Sequence, residues 1–196
     1  MARRRAIVDR PWTWLRQVHG ARVVDVTAVG EHAGAEADAA VTDVDEVVLC
    51  ILTADCAPIA FSSAEGVRGV AHAGWKGLAE GVVGATVRAM REKGATSLTA
   101  ALGPCIHAPC YEFSPADLDA VAARLGDHVR GVTTDGRPAL DLPGAVRRAI
   151  AESGAVLGED AGACTACDVD AAGVPRWFSH RARADELRQA LVQWTL

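Results

Sequence analysis

Val70-Ala71-His72-Ala73-Gly74-Trp75-Lys76-Gly77 decides how this chain is read. An apolar, strand-like approach ends on a histidine, and a glycine-flanked turn then leads into a helix. A strand end is rigid and the loop after it is open, so α/β proteins place chemistry at such junctions. Two further segments share the pattern. Trp14-Leu15-Arg16-Gln17-Val18-His19-Gly20 ends on a histidine before glycine. Leu49-Cys50-Ile51-Leu52-Thr53-Ala54-Asp55-Cys56-Ala57-Pro58 runs out of a buried-looking strand onto an acid and a cysteine.

Working outward, 47–53 is a continuous apolar run that suits a strand buried on both faces. Segments 58–61 and 67–71 read as two strands joined by a Ser-Ser-Ala-Glu-Gly turn, which brings Cys56 and His72 near one another. Segments 22–27, 39–42 and 97–102 read as further strands. A helix is expected over 78–93, with Arg91 and Lys93 in its last turn and Gly94 stopping it. Ser114 as N-cap and Pro115 at the first helical position open a helix to about Leu125. Another helix spans 141–153. Segment 161–173 reads as loop, and 188–196 fits a helix end or a strand. These elements predict one mixed α/β domain over residues 1–196.

The bulk properties bound the function. A chain of 196 residues buries roughly 70% of its unfolded surface and folds without staples. The formal net charge of −5 argues against a nucleic-acid-binding protein, which needs a basic face. Arg3-Arg4-Arg5 is the only dense basic cluster, and the stretch after it is too short and too charged for a signal-peptide core. No apolar run approaches a membrane span. The cytoplasm is the expected compartment, where the six cysteines stay reduced. Nothing in the sequence names a protein partner.

His19, Cys56 and His72 are candidate metal ligands. Imidazole nitrogen and thiolate sulfur suit Zn²⁺ or copper, and three protein donors leave a position for water or substrate. Their separations of 37 and 16 residues match no compact zinc finger. The plain alternative is two hydrogen-bonded histidines and a buried cysteine. Cys56 with His72 also makes a metal-free nucleophile and base. Asp55 is placed to orient a histidine, to act as a base, or to serve the turn before Pro58.

Lys76 in Gly74-Trp75-Lys76-Gly77 adds a cation beside helix-start amides that suit phosphate; a glycine turn with a packing tryptophan is the competing reading. Cys105, His107 and Cys110 are a candidate second metal set, although the prolines around them favour a rigid loop lining a pocket. Cys164-Thr165-Ala166-Cys167 has redox-motif spacing without the strand-then-helix context, and reads as structural or incidental. Arg181 and Arg183 lie in reach of an anion or in a solvated turn.

Several stretches occur in the order found in one family: Gln17-Val18-His19-Gly20, Ala37-Asp38-Ala39 with Val41-Thr42, Thr53 to Pro58, and His72 to Gly77. Gly103-Pro104-Cys105-Ile106, Cys110-Tyr111-Glu112, Cys164-Thr165 and Phe178-Ser179-His180-Arg181 follow. From about Trp14 onward the chain resembles the laccase-domain family. Its members are also described as polyphenol oxidases or multicopper laccase-like proteins, and are now regarded as purine nucleoside phosphorylases.

The resemblance implies a single-domain sandwich of mixed β-sheet flanked by helices, of the cytotoxic-necrotizing-factor-like type. It implies a metal, usually zinc with copper as the alternative, held by His19, Cys56 and His72. It implies purine nucleosides and phosphate as substrates: phosphorolysis of adenosine, inosine, guanosine and methylthioadenosine, with adenosine deamination beside it. Read from local chemistry and not from the resemblance, Lys76 and Arg181 would steady the anion, and Asp55 or Glu112 would exchange a proton with the base. A bacterial branch of the family is linked to editing the peptide of peptidoglycan precursors, which a Cys-His hydrolase would also suit. Copper-dependent phenol oxidation is the older assignment, but six histidines are too few for a four-copper centre.

Two departures stand out. Family members usually carry a longer N-terminal segment with a Gly-Gly-x-Ser motif, so the chain is expected to be N-terminally short. Arg181-Ala182-Arg183 also splits a pair of arginines that the family often has side by side.

Overall fold

The computed structural model describes residues 7–195; Arg3-Arg4-Arg5 lies outside the described residues. Two main sheets carry the fold. In chain order the strands are β1 (Trp12–Trp14), β2 (Val23–Asp25), β3 (Ala39–Thr42), β4 (Val48–Thr53), β5 (Ala57–Ser63) and β6 (Arg68–Ala73). They continue with β7 (Leu98–Leu102), β8 (Arg130–Val132), β9 (Pro138–Leu140), β10 (Val156–Asp160) and β11 (Gln189–Gln193). A six-stranded sheet has the order β10-β7-β5-β6-β3-β2, and a three-stranded sheet has the order β1-β4-β11. Both mix parallel and antiparallel pairs. Strands β8 and β9 form a separate hairpin.

The helices are α1 (Trp75–Glu80), α2 (Val82–Glu92), α3 (Pro115–Leu125), α4 (Leu142–Glu152) and the short α5 (His180–Arg183). Ile59 and Phe61 of β5, Val87 and Met90 of α2, and Val146 and Ile150 of α4 share the main core. On the other face of the large sheet, Val24, Ala40 and Val70 meet Leu49 and Ile51 of β4. On the opposite face of β4, Val48 and Cys50 pack with Val8 and Trp12, with Leu52 beside them. That is why β4 reads as an unbroken apolar run: alternate residues face two different apolar layers.

The helix expected over 78–93 is two helices, beginning earlier, at Trp75. Gly81 interrupts it with φ +84°, a left-handed conformation. A Cβ there would meet nothing within 4 Å, so only backbone strain opposes substitution. Gly81→Ala is expected to cost about 1–2 kcal/mol. Denaturant unfolding should show a lower midpoint with an unchanged slope.

Ser114 caps α3 by accepting the Asp117 N–H, with Pro115 in its first turn. The tail 189–193 is a strand, paired antiparallel to β4 from Gln189↔Thr53 to Gln193↔Leu49. Strands β1, β8, β9 and β10 and helix α5 are additions to the sequence reading. Among the described residues no helix is long and apolar enough to cross a membrane.

Candidate metal centre and its cavity

The β5–β6 hairpin register sets Pro58 opposite His72 and Ala57 opposite Ala73. Cys56 therefore lies just beyond β5, across from Gly74. His19 arrives from the loop after β1. Gln17 fastens that loop to β4: its Nε2 donates to the Leu52 carbonyl at 2.7 Å, and its Oε1 accepts the Leu52 N–H at 2.9 Å. One donor atom from each of His19, Cys56 and His72 lies within 4.8 Å of the others. The two imidazoles meet edge to face, their centroids 4.8 Å apart. A Cβ on Gly74 would come within 2.9 Å of Cys56 Sγ and 3.0 Å of His19 Cδ2. The glycine after the β6 strand end thus lets the chain pass close behind the donors.

Asp38 organises this cluster. It is fully buried, and its Oδ1 lies 2.8 Å from His72 Nδ1. An ionised carboxylate only accepts, so this contact assigns the proton to Nδ1 and leaves Nε2 as the donor atom. The same carboxylate accepts N–H bonds from His19 at 2.9 Å, Gly20 at 2.8 Å and Val18 at 3.2 Å. Those bonds hold His19 at φ +63°, a region a non-glycine residue enters only when its surroundings compel it. Burial pushes the Asp38 carboxyl up, but the bonds from His72, Gly20 and Val18 outweigh it, and its pKa is held below the usual range. Burial also works against charge on Cys56 and on His72. Their bonds to each other, with His19 on the thiol and Asp38 on the imidazole, prevail: the Cys56 pKa falls and the His72 pKa rises. Thiolate character at Cys56 is what a soft metal ion needs.

The donors open onto a cavity of about 490 Å³. Leu52, Ala54 and Tyr111 give it apolar wall, while Gln17, His180, Arg181 and Arg188 supply polar groups. The Arg181 guanidinium lies over the Tyr111 ring at 4.6 Å from its centroid. Its Nη1 donates to the Glu112 carbonyl at 2.7 Å.

The structure gathers His19, Cys56, His72 and Arg181 around this cavity and assigns other positions to the rest. Asp55 touches the cavity wall, but its carboxylate does not reach either histidine's ring. Oδ1 accepts from Thr165 Oγ1 at 2.7 Å and Ser179 Oγ at 2.6 Å, and Oδ2 accepts the Arg181 N–H at 2.7 Å. The histidine-orienting role considered for Asp55 falls to Asp38, because register places residue 38 beside β6. Lys76 is exposed on α1, its ammonium 5.5 Å from the Trp75 ring, outside the cavity lining. The Glu112 carboxylate turns outward to Arg137 at 2.5 Å. Arg183 binds the carbonyls of Thr165, Ala166 and Trp177. Cys105 is buried in the core, and Cys110 groups with Cys164 and Cys167, not with Cys105 and His107. The sequence reading missed the cavity roles of Tyr111, His180 and Arg188.

Two sheets with two imidazoles and a thiol gathered at a strand end, above an open cavity, define a class: α/β proteins with a soft three-donor site. The chain belongs to the multi-copper polyphenol oxidoreductase laccase family, whose model matches residues 1–195. It is 38% identical over 190 residues to a purine nucleoside phosphorylase of Xylella fastidiosa, covering 92% of this chain and 71% of that one. It is 33% identical over 184 residues to one of Mycobacterium tuberculosis, with the same two shares of 92% and 71%. Among solved structures, a Neisseria meningitidis protein of family DUF152 aligns with a TM-score of 0.80 at 28% identity, covering 100% of this chain and 79% of that one. Bacillus licheniformis YfiH aligns with a TM-score of 0.81 at 25% identity, covering 98% and 79%. The mixed α/β architecture is the one those structures share.

Proposed function

We propose that this protein is a zinc-dependent purine nucleoside phosphorylase acting on adenosine, inosine, guanosine and methylthioadenosine, with adenosine deamination as a second activity. The observation that carries this reading is the convergence of His19, Cys56 and His72 on a cavity walled by Tyr111 and Arg181. The relatives named purine nucleoside phosphorylase support it.

The donor set fits the metal. Two imidazoles and a thiol with lowered pKa are zinc-type ligands, and His72 has the buried carboxylate partner that zinc-binding histidines characteristically have. When bound, such an ion supplies Lewis acidity toward an anionic oxygen and lowers the pKa of water. The chain's own residues do the rest. Arg181, held flat by Tyr111 and the Glu112 carbonyl, offers a pre-set cation for phosphate. His180 and Arg188 add polar groups to the same cavity. Leu52, Ala54 and Tyr111 provide apolar surface against a purine. Asp38 fixes the His72 ring with Nδ1 turned toward the carboxylate, so that Nε2 is the nitrogen presented to the site.

Asp38→Asn is expected to weaken zinc binding by about 10–100-fold, because an amide cannot accept the same set of N–H bonds. Competition with a chromophoric chelator measures it, and unchanged affinity would refute the orienting role.

A second reading uses the same residues without metal. Asp38, His72 and Cys56 stand in the order of orienting carboxylate, imidazole and thiol, which is a nucleophile and base arrangement. One assay separates the two: release of adenine and ribose 1-phosphate from adenosine in phosphate buffer, with and without chelator. The phosphorylase reading expects release that chelator stops and zinc restores. No release by the wild-type protein rejects that reading, and release indifferent to chelator rejects the metal.

A further inference from the structure

A second set of soft donors lies outside the cavity. Cys110 ends the 3-10 turn Ala108–Cys110, while Cys164 and Cys167 flank a turn closed by the Asp168 N–H on the Cys164 carbonyl at 3.0 Å. The three sulfurs lie within 4.8 Å of one another, although Cys110 comes from a segment far from the other two in sequence. The His107 N–H points at Cys164 Sγ at 3.4 Å, a bond that stabilises a sulfur carrying negative charge. Cys164 is buried, Cys110 half-buried and Cys167 exposed, so an ion from solution has a way in.

We propose that Cys110, Cys164 and Cys167 form a second, all-sulfur binding site for a thiophilic d¹⁰ cation, Zn²⁺ or Cu⁺. Three sulfurs with no oxygen donor select such ions over magnesium or calcium. Each thiol passes its proton to solvent as its sulfur–metal bond forms. Burial, then the neighbouring sulfur of Cys167, pushes the Cys110 thiol up to about 12, and burial raises Cys167 as well. The Cys110 and Cys167 thiols therefore resist ionising unless a cation joins them.

The position gives the site a purpose. Cys110 directly precedes Tyr111, which lines the first cavity, and Glu112, whose carbonyl holds Arg181. Cys164 directly precedes Thr165, which donates to Asp55. An ion between them ties segment 110–112 to segment 164–167 and fixes the Tyr111–Arg181 wall. This inference does not depend on metal at His19, Cys56 and His72.

The test uses the full chain carrying Cys56→Ala and His72→Ala, which dismantles the first donor set. Reduced, metal-free protein is titrated without oxygen, with Zn²⁺ in one arm and Cu⁺ in the other. Bound metal is counted, and iodoacetamide labelling is mapped by mass spectrometry. The expected result is one ion per chain in at least one arm, with Cys110 and Cys167 protected until chelator is added. The arm that binds more tightly identifies the ion. Adding Cys167→Ser, an exposed change whose folding circular dichroism checks, should remove that equivalent. No uptake in either arm overturns the proposal. So does uptake that Cys167→Ser leaves unchanged, or labelling lost only through disulfide formation without metal.

Discussion

Cys56→Ala is expected to strip the protein of its metal and of phosphorolysis together, while leaving it folded. The thiol is the only sulfur in the first donor set, and the two remaining imidazoles are too few to hold zinc in a closed or catalytic arrangement. Lewis-acid stabilisation worth several kcal/mol corresponds to about a thousandfold or more in rate, so adenine release should fall at least that far. Cys56 is only partly buried and stands beside Gly74, which has no side chain to press on its sulfur. Its side chain lines the open cavity, so truncation enlarges that cavity and leaves no closed void in the core, and thermal unfolding of metal-free protein should barely move. Elemental analysis and the phosphorolysis assay on the same sample decide the matter. A variant that keeps its zinc, or releases adenine at the wild-type rate, removes Cys56 from the mechanism.

The residues around Cys56 show what sequence makes legible. Strands β4, β5 and β6 were readable because their apolar patterns are local, and β5 and β6 are joined by a short turn. That is enough to bring Cys56 near His72. Helix α3 was readable from Ser114 and Pro115, whose capping chemistry is also local. Segment 189–193 fits helix or strand by itself; it is a strand because β4 offers it a pairing edge. Strand β10, Val-Leu-Gly-Glu-Asp, has no alternating pattern and exists through its parallel pairing with β7.

The same distinction separates Asp38 from Asp55. Adjacency to Cys56 made Asp55 the visible acid, whereas Asp38 reaches His72 only through the β3–β6 pairing, 34 residues away. One signal was present: an acid inside the small, buried-looking run Ala37-Asp38-Ala39-Ala40 has to be paired with something. Cys110 and Cys164 stand out locally, in a donor-rich loop and a Cys-x-x-Cys pair, but nothing local says that the two segments meet.

Asp55→Ala is expected to be strongly destabilising, at about 3–5 kcal/mol. The carboxylate is nearly inaccessible, at 6% exposure. It joins three elements: the loop after β4, the turn at Thr165, and the start of α5 at Ser179 and Arg181. Its own backbone is held at φ +100°, so the site carries strain that those bonds offset. Alanine keeps the strain and abandons two hydroxyls and an N–H, each costing about 1–3 kcal/mol when buried and unpaired.

The cause can be separated from simple loss of volume. Thr165→Val added to Asp55→Ala removes one orphaned hydroxyl and should recover part of the loss, whereas Thr165→Val alone should cost stability. Urea unfolding of the four proteins measures the coupling. If Asp55→Ala costs less than about 1 kcal/mol, or the two changes simply add, the carboxylate is not the fastening that holds Arg181 over the cavity.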